Sequence, residues 1–86
     1  MVPSAPRFVL YQRDDCHLCD LALAVLAEAR LETFESVFID ESQILEARFG
    51  SRVPVLRDEV DGTELDWPFE AWAVVALNAG SPPTPV

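Results

Sequence analysis

The chain has 86 residues, half of them hydrophobic, and a formal charge of −9 at pH 7. This length gives room for one domain, residues 1–86, with a single core, and the apolar content is too high for a disordered chain. The cations are six arginines with no lysine, a balance that argues against nucleic acid and membrane surfaces as partners, because both call for a basic footprint.

Met1 to Pro6 reads as a short, disorder-prone leader with neither a charged n-region nor an apolar h-region. No apolar run is long enough to span a bilayer, so the expected location is cytoplasmic. Phe8-Val9-Leu10-Tyr11 is a continuous apolar run, as in a strand covered on both faces and central in its sheet. A polar turn, Gln12 to Asp15, follows. From Cys16 to about Arg30 strong helix formers dominate, with Leu18, Ala22, Val25, Leu26 and Ala29 at helical spacing and Asp15 as the expected N-cap.

Phe34 to Ile39 reads as a second strand, parallel to the first through a right-handed crossover. Asp40 with Gln43 has the capping-box spacing of a second helix, whose apolar face is Ile44, Leu45 and Phe49 and whose end falls at Gly50 in a left-handed conformation. Val53-Pro54-Val55-Leu56 is a third strand, with its proline at the entrance. Asp61-Gly62 turns the chain into a fourth strand, Thr63 to Asp66. Pro68 suits the first turn of a last helix with Phe69, Trp72, Ala73, Ala76 and Leu77 on its buried stripe. Gly80 stops that helix, and a proline-rich tail, 81–86, completes the chain. The order β-α-β-α-β-β-α predicts an α/β fold with helices on both faces of a mixed sheet, its core spanning about residues 7–80.

The chemistry concentrates at Cys16-His17-Leu18-Cys19, the only two cysteines in the chain, placed where the first strand gives way to the first helix. A cysteine at a helix start meets unpaired N–H groups and the positive end of the dipole, which favour the nucleophilic thiolate. Cys19, three residues on, lies near the same helix face and is spaced to resolve a mixed disulfide formed on Cys16. His17, when protonated, would stabilise that thiolate, and it reads equally as an exposed residue of the first turn. Asp14 and Asp15 oppose the thiolate and Arg13 favours it. A thiol–disulfide oxidoreductase is the first reading. The alternatives are a redox-inactive protein-interaction module and a metal or iron–sulfur site shared between chains, although the second cysteine pair of an ordinary zinc site is absent.

The first strand, the Cys16-His17-Leu18-Cys19 helix start and the Val53-Pro54 pair together resemble the glutaredoxin branch of the thioredoxin superfamily. More narrowly, the chain is similar to small bacterial glutaredoxin-like proteins of uncharacterised function. The resemblance spans about Arg7 to Gly80. It implies a four-stranded thioredoxin/glutaredoxin sheet with the third and fourth strands antiparallel, the first and third helices on one face and the second on the other. It also implies a cis Pro54 packed near Cys16, with Val53 offering its backbone N–H and C=O to an extended substrate. Arg13 stands where glutathione-dependent members often carry a lysine, suited to a glutathione carboxylate.

Three positions depart from glutathione use. His17 and Leu18 replace the usual proline and tyrosine, Arg52 replaces the threonine before Val-Pro, and Asp66-Trp67 replaces a Gly-Gly turn. Trp67 would either reshape that groove or anchor the last helix in the core. Expected partners are therefore a disulfide-containing protein or glutathione, the latter as a candidate co-substrate, with no tightly bound cofactor and no metal.

Overall fold

The computed structural model describes residues 7–79. Its elements are β1 (Phe8–Gln12), α1 (His17–Glu28), β2 (Glu35–Phe38), a 3-10 turn (Ile39–Glu41), α2 (Gln43–Phe49), β3 (Val55–Asp58), β4 (Glu64–Asp66) and α3 (Ala71–Asn78). The expected leader, the Gly80 stop and the tail lie outside the described residues.

The four strands form one sheet in the order β2-β1-β3-β4. β1 runs parallel to β2 and antiparallel to β3, which is antiparallel to β4. The apolar run at the start of the chain is central as expected. Phe8 and Leu10 face a core shared with Ala22 and Leu26 of α1 and Ala73, Val74 and Leu77 of α3. Tyr11 faces the opposite side, where Ile39, Phe49 and Val55 form a smaller core, and its ring stacks on Phe49 with centroids 4.2 Å apart. Each fully buried Leu or Phe contributes about 1.5–3 kcal/mol. α1 and α3 thus cover one face and α2 the other.

Several ends differ from their sequence reading. α1 closes with Arg30 in a left-handed conformation, φ 62°. There the Arg30 and Leu31 N–H groups donate to the Ala27 and Leu26 carbonyls at 3.0 and 2.9 Å. This is a Schellman closure, and the Leu31–Leu26 contact inside the core lets arginine fill a position usually given to glycine. α2 is capped by Ser42, whose Oγ accepts the Leu45 N–H at 3.3 Å, while Asp40 sits in the 3-10 turn before it. Gly50 is right-handed, not left-handed; glycine is needed because a Cβ there would collide with the carbonyl and carboxylate of Glu46. Gly62 is left-handed, φ 80°, as the hairpin requires. α3 starts three residues beyond Pro68, and its buried face is Ala73, Val74 and Leu77, which leaves Trp72 45% exposed.

The register decides what meets at the working end of the sheet. Gln12 pairs with Phe38, Tyr11 with Val55, and Val55 with Asp66. The 13–16 loop, the Val53-Pro54 entrance to β3 and the Trp67-Pro68 exit from β4 therefore leave the sheet at one end. Both of these X-Pro bonds are cis.

At the opposite end Asp58 is fully buried and accepts from Arg7 at 2.7 and 3.1 Å and from the Val60 N–H at 2.9 Å. The Arg7 hydrogen bonds hold the Asp58 carboxyl below its ordinary value of 3.8 against the opposing effect of burial. A carboxyl lowered in the folded state adds stability above its unfolded value and loses it as pH falls through the folded one. Asp58→Asn should lose about 1–3 kcal/mol at neutral pH. The same substitution should flatten the stability profile below about pH 4, as urea titrations across pH will show.

Candidate active site

α1 begins at His17 rather than at Cys16, and Cys16 is its N-cap. Asp15, the expected cap, instead takes a left-handed backbone, φ 53°, that turns the chain out of β1. Asp tolerates this region better than most residues. Cys16 is then extended, with φ −116° and ψ 109°, and its Sγ accepts the Cys19 N–H at 3.2 Å. The sulfur satisfies one of the orphan N–H groups, as a serine oxygen does at an ordinary cap. Negative charge on that sulfur is favoured by the same N–H groups and by the helix dipole.

Cys16 and Cys19 lie at disulfide distance, with Cα atoms 5.2 Å apart. Their access is unequal. Cys16 is partly exposed at the helix mouth, whereas Cys19, one turn deeper, is 1% exposed against the sheet.

The pair opens on a groove of about 600 Å³ between the start of α1 and the β2 side of the sheet. Arg13, Asp14, Asp15, Cys16, His17 and Cys19 line it together. So do Gln12, Asp20, Leu23, Ser36 and Phe38, which the sequence reading did not single out. The period-2 alternation of β1 contained a signal for the first of these, since Gln12 follows Phe8 and Leu10 onto the face that α1 covers. Among the described residues no three His, Cys, Asp or Glu side chains are grouped to hold a metal ion.

Val53, Pro54 and Trp67 do not line this groove. They flank the same sheet end on the β3–β4 side, where Pro54 is buried and its bond is cis, as the resemblance implies. The Val53 N–H is already donated to the Phe49 carbonyl at 3.0 Å, so the expectation that it offers both backbone groups to a substrate is corrected. Trp67 is partly buried against the larger core and meets Phe69 edge-on at 5.2 Å. Arg13 is clamped by both Glu46 carboxylate oxygens at 2.6 Å and by the Gly50 carbonyl at 2.8 Å. Those hydrogen bonds raise its pKa. Arg13 meets a ligand carboxylate only by leaving Glu46.

Arg52 donates to both oxygens of Asp66, at 3.1 and 2.6 Å, and to Glu64, tying the approach to Pro54 onto β4. Burial pushes the Glu64 carboxyl up, but hydrogen bonds from Arg52 and Arg57 outweigh it and leave the group lowered.

A family profile described as glutaredoxin-like domain (DUF836) matches residues 7–76. The chain belongs to this glutaredoxin-like family. It is similar to the structural-genomics target protein XcR50 from X. campestris. The X-ray structure of that protein is 56% identical with a TM-score of 0.79, and the match covers 87% of this chain and 99% of that one. The solution structure of XcR50 matches at 55% identity over 88% and 96% of the two chains, with the same TM-score, 0.79. The solution structure of protein Ne2328 from Nitrosomonas europaea is 26% identical with a TM-score of 0.69, over 90% and 95% of the chains. No curated protein matches the chain.

In this glutaredoxin-like site the cap and the accessible thiol are one atom, which separates two substitutions of similar size. With Cys19→Ser as background to remove the disulfide, Cys16→Ser keeps a capping oxygen and Cys16→Ala does not. Urea unfolding should place the alanine protein about 1 kcal/mol below the serine protein. Equal stability would mean that the sulfur does not cap the helix.

Proposed function

We propose that the chain is a thiol–disulfide oxidoreductase in which Cys16 is the nucleophile and Cys19 the resolving thiol. The observation that carries this reading is the unequal placement of two cysteines at disulfide distance. One is a partly exposed helix cap and the other is buried one turn behind it. Nothing comparable favours a redox-inactive module built on Trp67, whose ring lies partly buried against the core.

In the reducing direction the Cys16 thiolate attacks one sulfur of a substrate disulfide. An S–S bond forms between Cys16 and that sulfur, the substrate S–S bond breaks, and the other substrate sulfur leaves as thiolate. The Cys19 thiolate then attacks the Cys16 sulfur, forming the Cys16–Cys19 bond and releasing the second substrate thiolate. Two electrons pass from the dithiol to the substrate. A second dithiol, or two monothiols such as glutathione, returns them by the reverse exchange. His17 stands exposed at the mouth, where its protonated form offsets thiolate charge, and Asp14 and Asp15 act against it.

Cys19→Ser leaves the attacking thiol and removes the resolving one. Incubated with an oxidised disulfide substrate, it should accumulate a mixed disulfide at Cys16 that dithiothreitol reverses, as read by intact mass. Cys16→Ser should trap none. An absence of adduct on both, together with a native pair that does not cycle between dithiothreitol and oxidant, would reject the reading.

A further inference from the structure

The groove beside the cysteines contains a nearly buried polar side chain to which the described residues give no hydrogen-bond partner. Gln12 is 5% exposed and lines the groove, yet its amide makes no side-chain hydrogen bond among the described residues. No fully buried side-chain N or O lacks a partner, so the Gln12 amide must reach the groove opening. Its strand alternation points it under the start of α1, beside Ser36 and Phe38 on β2, with which it shares a sheet face. Solvent at the groove opening is the other partner such an amide can have, so a ligand that fits the opening can take over that hydrogen bond.

The charge around that amide is mainly negative, with His17 at the mouth and Arg13 the groups of opposite sign. Asp14, Asp15 and Asp20 rim the groove, while its one arginine, Arg13, is neutralised by Glu46. Asp14 and Phe38 continue into an adjoining depression with Asp40 and Glu41. Phe38 is 43% exposed and offers an aromatic face. Three carboxylates, an amide, a hydroxyl and an open ring give a lining in which acceptors of negative charge predominate, with Arg13 already engaged by Glu46. An arginine side chain complements it, because its planar guanidinium stacks on aromatic faces and brings five donors with no acceptor.

From this lining we infer that the groove is a specificity subsite for an arginine side chain of a disulfide-bearing polypeptide, next to the cysteine that Cys16 attacks. The inference rests on the proposed oxidoreductase reading for the purpose of the subsite, though not for its binding chemistry. It selects a cationic peptide and disfavours glutathione, whose carboxylates would meet the rim.

The test uses two oxidised peptides identical except for Arg or Glu beside the cysteine, mixed in excess with the pre-reduced protein in single-turnover stopped flow. At low ionic strength the Arg peptide should react roughly tenfold faster. That advantage should shrink as salt is added. Q12M and D20N should each move the Arg:Glu rate ratio toward one, and the ratio cancels any change in the intrinsic reactivity of the thiol. A ratio near one in the native protein, or a ratio that neither variant moves, overturns the inference and leaves the redox reading intact. Titration with the Arg peptide carrying serine for cysteine gives a readout independent of redox. Shifts of the Gln12 side-chain amide and of the Ser36 and Phe38 resonances uphold the subsite even if neither peptide is reduced, and an absence of shifts overturns it. Tighter binding of agmatine than of the peptide would make this a site for small cations and overturn the peptide assignment.

Discussion

The start of α1 has to satisfy N–H groups that the helix itself cannot, and here a sulfur does part of that work. Cys16 Sγ accepts from the Cys19 N–H, so the atom that begins the helix is also the accessible thiol of the pair. A thiolate is a stronger acceptor than a neutral sulfur. Under the proposed reading, opening the disulfide therefore strengthens the cap at the moment it exposes the nucleophile. The placement depends on the two residues before it. Left-handed Asp15 brings the chain out of the central strand at the angle that sets Cys16 extended and Cys19 inward.

The arginines are organised around the scaffold rather than the site. Arg7 is tied to Asp58, Arg13 to Glu46, and Arg48, Arg52 and Arg57 all reach Glu64. Apart from buried Asp58, these pairs are largely surface interactions of modest energy. Their spatial effect is larger than their energetic one, because they place compensated charge along the sheet and leave the carboxylates near the cysteines uncompensated.

The element order, the central first strand and the cysteine pair were legible because each rests on a strong local pattern: the apolar run 8–11, the helix formers after Cys16, and Asp61-Gly62 before the fourth strand; which helices share a face was implied only by the family resemblance. The helix ends were less legible. Asp15 and Cys16 are neighbours, and choosing between them as cap depends on backbone dihedrals that composition does not encode. Asp40 and Ser42 present the same ambiguity. Arg30 closes α1 without glycine because Leu31 packs on Leu26, a tertiary gain that overrides local preference. Gln12 looked like turn polarity, although strand alternation carries it onto the Phe8 and Leu10 face, and the register with Phe38 shows that it lines a groove.

The two sides of the cysteine pair differ in what a ligand gains by binding. On the β3–β4 side the Val53 N–H is held by Phe49, and Trp67 lies partly buried against the core. Arg13, on the loop between, is held by Glu46. A ligand there exchanges one satisfied hydrogen bond for another, and such an exchange yields little net free energy. On the β2 side the Gln12 amide is nearly buried and has no partner among the described residues, so a ligand donor displaces solvent there and not a hydrogen bond of the fold. Under the two proposals, discrimination between partners resides in the groove, while the exchange reaction resides in Cys16 and Cys19. On that reading the two properties vary separately, because Gln12, Ser36 and Phe38 lie on the strands and the sulfur cap lies at the start of α1.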